Sequence, residues 1–267
     1  MAVAETPDHV QLWYDRTGSG PQAVLLIAGQ AMSHRSWVGL PRELRKKRTV
    51  IRYDHRGVGA SESRFPTGWS TRDFARDAIA VLDAAGVERA AVVGHAMGGQ
   101  IAQWVAADYP DRVSALVLAA TSIGDPQGVV QPPEATAALV TGTPGTLIGW
   151  FVSPTWLVAH PDQEVAMTPD PVDVAAQKAH FGAGAMHDGS TALDDISAPT
   201  LVLHGELDQI CRPDNAHILA DRIRGAKLAM IPRGRHLLLA DSAQARNAVI
   251  AFLNEREERD ALNERDD

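Results

Sequence analysis

The chain has 267 residues, of which 45% are hydrophobic and 22% charged, enough for one large α/β domain or a domain with a modest insertion. Its formal net charge of −8 argues against a general nucleic-acid surface, because phosphate binding requires clustered lysine and arginine. The single cysteine, Cys211, cannot form an internal disulfide. Residues 1–7 show no secretory pattern and no apolar stretch approaches bilayer length, so we expect a cytoplasmic protein without membrane or nucleic-acid partners.

Short, unbroken apolar runs recur along the chain and predict strands of a parallel sheet, because such strands are covered on both faces. The runs lie at 23–28, 49–53, 90–93, 115–118, 199–204 and 227–231. An earlier run at 9–14 is followed by a turn-forming segment at 17–21, so we expect it to pair antiparallel.

Helical patterns alternate with these runs, at 70–85, 99–108, 215–224 and 242–253. The first begins with Ser70 and Asp73 in a capping-box pattern, and the second stops at Tyr109 and Pro110. Strand and helix therefore alternate, which predicts an α/β fold with a doubly wound, mostly parallel sheet. The charged tail at 254–267 is expected to be a solvated helix extension or a frayed end.

The alternation breaks between residues 124 and 196, a region rich in proline, glycine and threonine. Short helical patterns lie there at 134–140, 146–152 and 172–181. We interpret 124–196 as a cap over an active site and 1–123 with 197–267 as the core, the alternative being a long surface excursion. The cap aromatics expected to line its underside and contact a substrate are Trp150, Phe151, Trp156 and Phe181.

The segment Gly94-His95-Ala96-Met97-Gly98 follows a predicted strand and begins a predicted helix. It matches the G-x-S-x-G turn of serine hydrolases, in which a strand turns sharply into a helix, except that alanine occupies the serine position. The sequence therefore predicts a nucleophile turn without its nucleophile.

This turn and three further motifs resemble the α/β-hydrolase superfamily over about residues 9–253, and their chain order of nucleophile, acid and base is that of the family. The further motifs are Asp54-His55-Arg56-Gly57-Val58-Gly59-Ala60-Ser61, Gly205-Glu206-Leu207-Asp208 and Pro232-Arg233-Gly234-Arg235-His236. The resemblance implies that Ala96 occupies the nucleophile position, that His236 is the general base and that Asp208 orients it.

The resemblance also implies an oxyanion hole made by the main-chain amides of Gln30 and Met97. The chain has Ala28-Gly29 where the family more often has His-Gly, but a main-chain donor is independent of that side chain. Near the mouth of the pocket we expect Gly29, His34 and Trp37 to contact substrate.

No metal or organic cofactor is expected. Five histidines lack paired spacing with carboxylates or cysteine: His55, His160, His180, His187 and His204. We expect His95 to pack rather than react, and Cys211 to be a small buried apolar residue.

Alanine at position 96 has no lone pair with which to attack a carbonyl, and loss of a serine nucleophile typically removes about a millionfold in turnover. We favour a deliberate serine-to-alanine replacement, because the other motifs are intact, over a natural chain that has lost hydrolysis. The expected activity is hydrolysis of a carboxylic ester or lactone of a small organic molecule. A finer similarity is to esterases of polyketides and other secondary metabolites, of the aclacinomycin methylesterase type.

Two alternatives stay open. One is a natural, non-hydrolytic protein that binds or rearranges a small ligand with His236 as acid or base. The other is cofactor-free perhydrolase, C–C hydrolase or oxygenase chemistry, because these enzymes share the same triad. The sequence also leaves open whether the chain forms a homodimer.

Overall fold

The computed structural model describes residues 2–141, 144–163, 170 and 172–266, and within them it contains an eight-stranded sheet. The strands are β1 (Ala2–Glu5), β2 (Gln11–Thr17), β3 (Ala23–Ile27), β4 (Thr49–Tyr53), β5 (Ala90–His95), β6 (Val113–Ala119), β7 (Thr200–Gly205) and β8 (Lys227–Ile231). They lie in the order β1-β2-β4-β3-β5-β6-β7-β8. Strands β3 to β8 run parallel, which confirms the predicted fold class.

Two antiparallel strands form one edge of the sheet. Strand β2 pairs antiparallel with β4 and with β1, so the expected orientation of the run at 9–14 is confirmed. Strand β1 was not predicted. Only four residues long, it is defined by its pairing with β2, from Ala2 opposite Tyr14 to Glu5 opposite Gln11, and a local apolar pattern cannot reveal such a long-range partner.

The helices are α1 (Leu40–Leu44), α2 (Thr71–Ala84), α3 (Met97–Asp108), α4 (Pro133–Thr141), α5 (Pro144–Phe151), α6 (Pro154–Ala159), α7 (Val174–Ala185), α8 (Ala192–Asp195), α9 (Asp214–Arg222), α10 (Leu238–Asp241) and α11 (Ala243–Asp266). Short 3-10 helices lie at His34–Ser36, Pro110–Arg112 and Pro161–Gln163. The predicted capping box is present at the start of α2, where the Ser70 N–H donates to Asp73 Oδ2 at 2.9 Å and the Asp73 N–H donates to Ser70 Oγ at 3.3 Å. Helix α3 begins two residues earlier than predicted and ends at Asp108 as predicted.

The core lies on both faces of the sheet. On one face, α2 and α3 pack against β5 and β6 through residues such as Phe74 and Ile101. On the other face, α1 and α11 contribute Leu44 and Phe252. All five side chains of β3 are buried, which explains why these strands lack polar alternation.

The region 124–196 contributes helices α4 to α8, and the three predicted helical segments correspond to α4, α5 and α7. In the described part of this region, strand-like pairing takes the form of an isolated antiparallel bridge between Gly124 and Asp188. The division into a core and a cap at residues 124 and 196 stays a prediction.

Helix α11 extends through the charged tail to Asp266. The tail is anchored to the core at Arg48, whose Nε donates to Glu257 at 2.6 Å and whose Nη2 donates to Asn254 at 2.7 Å. Because the Arg48 side chain is buried, the first residues of the tail, Asn254 to Glu257, are docked on the core, whereas Leu262 further along is exposed. Among the described helices, none combines the length and apolarity needed to cross a bilayer.

Candidate active site

The turn between β5 and α3 is strained and tightly packed. Ala96 has φ 51° and ψ −121°, a conformation that residues with a Cβ rarely adopt. A Cβ at Gly94 would lie 2.3 Å from the Gly98 carbonyl oxygen, and one at Gly98 would lie 2.0 Å from the Ile27 carbonyl oxygen. The two glycines of the motif are therefore required by close backbone approach, and the turn presents residue 96 at the carboxyl edge of the sheet.

His236 and Asp208 form a buried pair on the loops that follow β8 and β7. His236 Nδ1 lies 2.9 Å from Asp208 Oδ2. The other carboxylate oxygen accepts the main-chain N–H groups of Ile210 and Cys211, each at 2.9 Å. With its Nδ1 bound to the carboxylate, the imidazole has Nε2 as its remaining nitrogen.

The pKa of Asp208 is lowered. Burial alone raises it, but the charge of His236 and hydrogen bonds from His204 and His236 outweigh that effect. Asp208 is therefore ionised near neutral pH, as an orienting acid must be.

Two further histidines, His95 and His204, lie beside this pair. His95 Nε2 donates to the main-chain carbonyl of His236 at 2.9 Å, and burial with the neighbouring charge of His236 lowers the pKa of His95 to about 3. His204 Nε2 lies 2.9 Å from the Cys211 carbonyl and 3.4 Å from Asp208 Oδ2. His95 thus hydrogen-bonds the loop that carries His236, and it also lines the cavity described below.

The amides of Gln30 and Met97 have no acceptor among the described residues. Gln30 lies in a turn closed by the Met32 N–H, which donates to the Gly29 carbonyl at 3.2 Å. Met97 is the first residue of α3, where main-chain N–H groups are unpaired within the helix. Both residues line one cavity together with Ala96 and His236, and main-chain amides without an acceptor at one cavity are the kind of donor that a developing oxyanion needs.

This cavity has a volume of about 650 Å³. Of the residues expected to contact substrate, Gly29, Phe151 and Phe181 line it. Sequence reasoning did not single out several polar lining residues: Gln100, Thr121, Ser122, Asp170, Gln177 and Asn215. Most of them are brought to the cavity from separate segments, so a local pattern carries no signal for them.

Four of the expected substrate contacts are wrong, because the side chains of His34, Trp37, Trp150 and Trp156 pack elsewhere and do not line the cavity. His34 Nδ1 lies 2.8 Å from Asp54 Oδ1, and the ring stacks on Trp13. Trp37 is buried in the core beneath the site, edge-on to His95.

The other two are tryptophans of the predicted cap. Trp156 is buried and stacks on His160 with ring centroids 4.5 Å apart. Trp150 borders a separate surface depression beside Leu207 and Arg235. Aromatic residues at these positions therefore serve packing, which their spacing alone could not distinguish from ligand contact.

Cys211 lines the cavity, contrary to the expectation of a simply buried residue. Burial and the nearby charge of Asp208 raise the pKa of its thiol well above the usual range, which disfavours the reactive thiolate. In the described part of the chain, no cluster of three or more His, Cys, Asp or Glu side chains is arranged to hold a metal ion.

Two relatives and one solved structure resemble this chain over most of its length. It is 31% identical over 246 residues to a protein named carbamate hydrolase RutD from Variovorax paradoxus (strain S110), covering 87% of this chain and 91% of that protein. It is also 31% identical to rhodomycin D methylesterase DauP from Streptomyces sp. (strain C5), again covering 87% of this chain and 91% of that protein. The structure of Est816, described as an N-acyl homoserine lactone degrading enzyme, has a TM-score of 0.76 and 29% identity, covering 94% of this chain and 99% of that one.

The profile of the family described as serine aminopeptidase, S33, matches residues 21–243. That match spans the turn at Ala96, Asp208 and His236, and the structural neighbours share the same fold. The chain therefore belongs to the serine aminopeptidase S33 family and has the α/β-hydrolase fold.

Proposed function

We propose that the cavity is the active site of a hydrolase of carboxylic esters or lactones, and that alanine at position 96 disables its covalent step. The observation that carries this proposal is the placement of Ala96, at a strained strand-to-helix turn, in the same cavity as His236, whose Nδ1 lies 2.9 Å from Asp208 Oδ2. With serine at position 96, His236 would accept the hydroxyl proton and return it to the leaving group. The amides of Gln30 and Met97 would stabilise the oxyanion.

The cavity lining supports a small organic substrate. Its lining includes apolar side chains such as Leu139, Phe151 and Ile210 together with the polar residues Gln100 and Ser122. Pockets of this volume and mixed character are typical of small-molecule sites. The relatives named methylesterase and carbamate hydrolase, together with the lactone-degrading structural neighbour, support cleavage of an acyl–oxygen or a related acyl bond.

We further propose that 124–196 acts as a cap, since its helices α4, α5 and α7 contribute the lining residues Leu139, Phe151 and Phe181. We place the protein in the cytoplasm, because its one cysteine offers no internal disulfide. Its proposed partner is the small-molecule substrate.

The Ala96→Ser variant tests the proposal. Assayed on p-nitrophenyl esters and a panel of lactones, it is expected to exceed the alanine form by about a millionfold in kcat on its best substrate, because the alanine form retains binding and oxyanion donors only. Ala96→Gly is the matched control, since it changes the same position without adding a hydroxyl group. Equal rates for the serine and alanine forms on every substrate would count against the proposal.

One observation favours a second function. The methyl group of Ala96 leaves His236 facing the cavity as a base with no hydroxyl group to activate. Such a site suits proton transfer within a bound carbonyl compound, as in a ligand-binding or rearranging protein. An alanine codon at position 96 in the source gene would support this second function, whereas a serine codon would support the first.

A further inference from the structure

The turn that presents the Gln30 amide contains an unfavourable backbone conformation. Ala31, the third residue of this turn, has φ 52°, which glycine adopts freely and alanine does not. The turn's own hydrogen bond, from the Met32 N–H to the Gly29 carbonyl, is 3.2 Å long. A strained conformation of this kind persists when surrounding groups fix it from outside.

His180, on α7, supplies one of these external contacts. The Ala31 N–H donates to His180 Nδ1 at 3.3 Å, and His180 Nε2 donates to the Arg56 carbonyl at 2.8 Å. The ring is fully buried, so no water competes for either nitrogen. Accepting at Nδ1 while donating at Nε2 defines one neutral tautomer. His180 therefore links α7 to the turn and to the loop after β4.

Asp170 supplies the second contact, from the segment that precedes α7. Its main-chain N–H donates to the Ala31 carbonyl at 2.7 Å, and its Oδ2 accepts the Ser33 N–H at 2.8 Å. Its Oδ1 forms an ion pair with Arg35. Ala31 is thus held at its N–H by His180 and at its carbonyl by Asp170.

Helix α7 itself packs closely on the core. Ala176 is fully buried, and a Cβ at Gly57 would lie 2.4 Å from the Ala176 Cβ. His180 lies one helical turn further along α7 and packs edge-on against Phe74, with ring centroids 5.0 Å apart. The support for Ala31 therefore comes from a docked helix and not from a surface contact.

We propose that Asp170 and His180 form a turn clamp that fixes the direction of the Gln30 amide toward the cavity, which makes both of them positioning residues for the hydrolysis. This inference rests on the proposed function, because it takes the Gln30 amide as an oxyanion donor. A donor displaced by about 1 Å loses much of its effect on the transition state, so the clamp influences kcat more than KM.

A matched pair of substitutions at His180 separates the two ring contacts in the Ala96→Ser background. His180→Asn keeps an acceptor near the Nδ1 position for the Ala31 N–H, whereas His180→Gln keeps a donor near Nε2 for the Arg56 carbonyl. We expect kcat on a p-nitrophenyl ester to fall about 10- to 100-fold for His180→Gln and about threefold or less for His180→Asn, with KM nearly constant in both. Lys178→Ala, at an exposed position of the same helix, is the control. Equal losses in the two His180 variants would overturn the proposal.

Amide hydrogen exchange tests the clamp without any activity. In the chain with Ala96, we expect His180→Gln to accelerate exchange of the Ala31 amide and, independently, Asp170→Ala to accelerate exchange of the Ser33 amide, each by at least about tenfold, because the side-chain acceptor that protects each amide is lost. His180→Asn and Lys178→Ala are expected to leave exchange at both amides unchanged. Unchanged exchange in both His180→Gln and Asp170→Ala would overturn the clamp even if Ala96→Ser is active. Accelerated exchange with an inactive Ala96→Ser protein would instead overturn the proposed function alone.

Discussion

Removing the imidazole of His236 from the Ala96→Ser protein is expected to lower kcat by about a millionfold, because the serine hydroxyl then loses its general base. Asp208→Asn is expected to lower kcat by about ten-thousandfold, since an amide at that position favours the wrong imidazole tautomer. The proposed division of roles rests on one contact: His236 Nδ1 lies 2.9 Å from Asp208 Oδ2, which leaves Nε2 as the ring nitrogen for the substrate side.

Steady-state kinetics on the best ester or lactone of the Ala96→Ser protein measure both losses. His217→Gln is the matched control, because that histidine lies exposed on α9, away from the cavity lining. A His236→Ala variant that keeps its kcat within about tenfold of the Ala96→Ser protein would contradict the assigned base.

The folded protein is expected to lose stability steeply as the pH falls below about 6.5, because four buried histidines are neutral only in the folded state. Burial is the main cause in each case: it lowers the pKa of His55 and His95 to about 3 and that of His180 and His187 to about 4, from an ordinary value of 6.5. Their contribution to stability is complete above pH 6.5, where the unfolded chain is also neutral, and declines as the pH falls toward the folded pKa values.

Within this window, each such histidine lowers the free energy of unfolding by about 1.4 kcal/mol for every unit by which the pH falls. The carboxyl of Asp77 acts in the opposite direction, because burial raises its pKa to about 6 from 3.8. The expected net slope is therefore about 4 kcal/mol per pH unit between about pH 6 and 4, enough to unfold a domain of ordinary stability.

Urea denaturation at about pH 7, 6 and 5 measures this slope. His187→Gln, which can keep one of the hydrogen bonds to Thr71 and Gln103, is expected to reduce it by about 1.4 kcal/mol per pH unit. The exposed His217→Gln variant is expected to leave it unchanged. A free energy of unfolding that is flat from pH 7 to about 5 would show that these rings are not buried as neutral groups.

The sequence predicts the central sheet well because its parallel strands are buried on both faces and show unbroken apolar runs. The bounds of β4 and β8 agree with their runs to the residue. The turn at Ala96 and the loops that contain Asp208 and His236 are likewise visible, because each needs particular residue types at fixed spacing.

Contacts between distant segments are what the sequence does not reveal. Strand β1 depends on its pairing with β2, and Trp37 and Trp156 fill the core although their spacing fits a pocket equally well. The turn clamp joins Asp170 and His180 to Ala31, more than 130 residues away. No local pattern encodes such a contact, so these positions carry no signal until the chain is folded.

Labelling with a fluorophosphonate ester, followed by peptide mass mapping, tests most directly whether residue 96 is the nucleophile position of a hydrolase. We expect the Ala96→Ser protein to gain one covalent phosphonyl adduct on the introduced serine, the chain with Ala96 to gain none, and the adduct to form far more slowly when His236 is also replaced by alanine. An unlabelled Ala96→Ser protein, or an adduct on another residue of the cavity such as Ser122, would contradict this account.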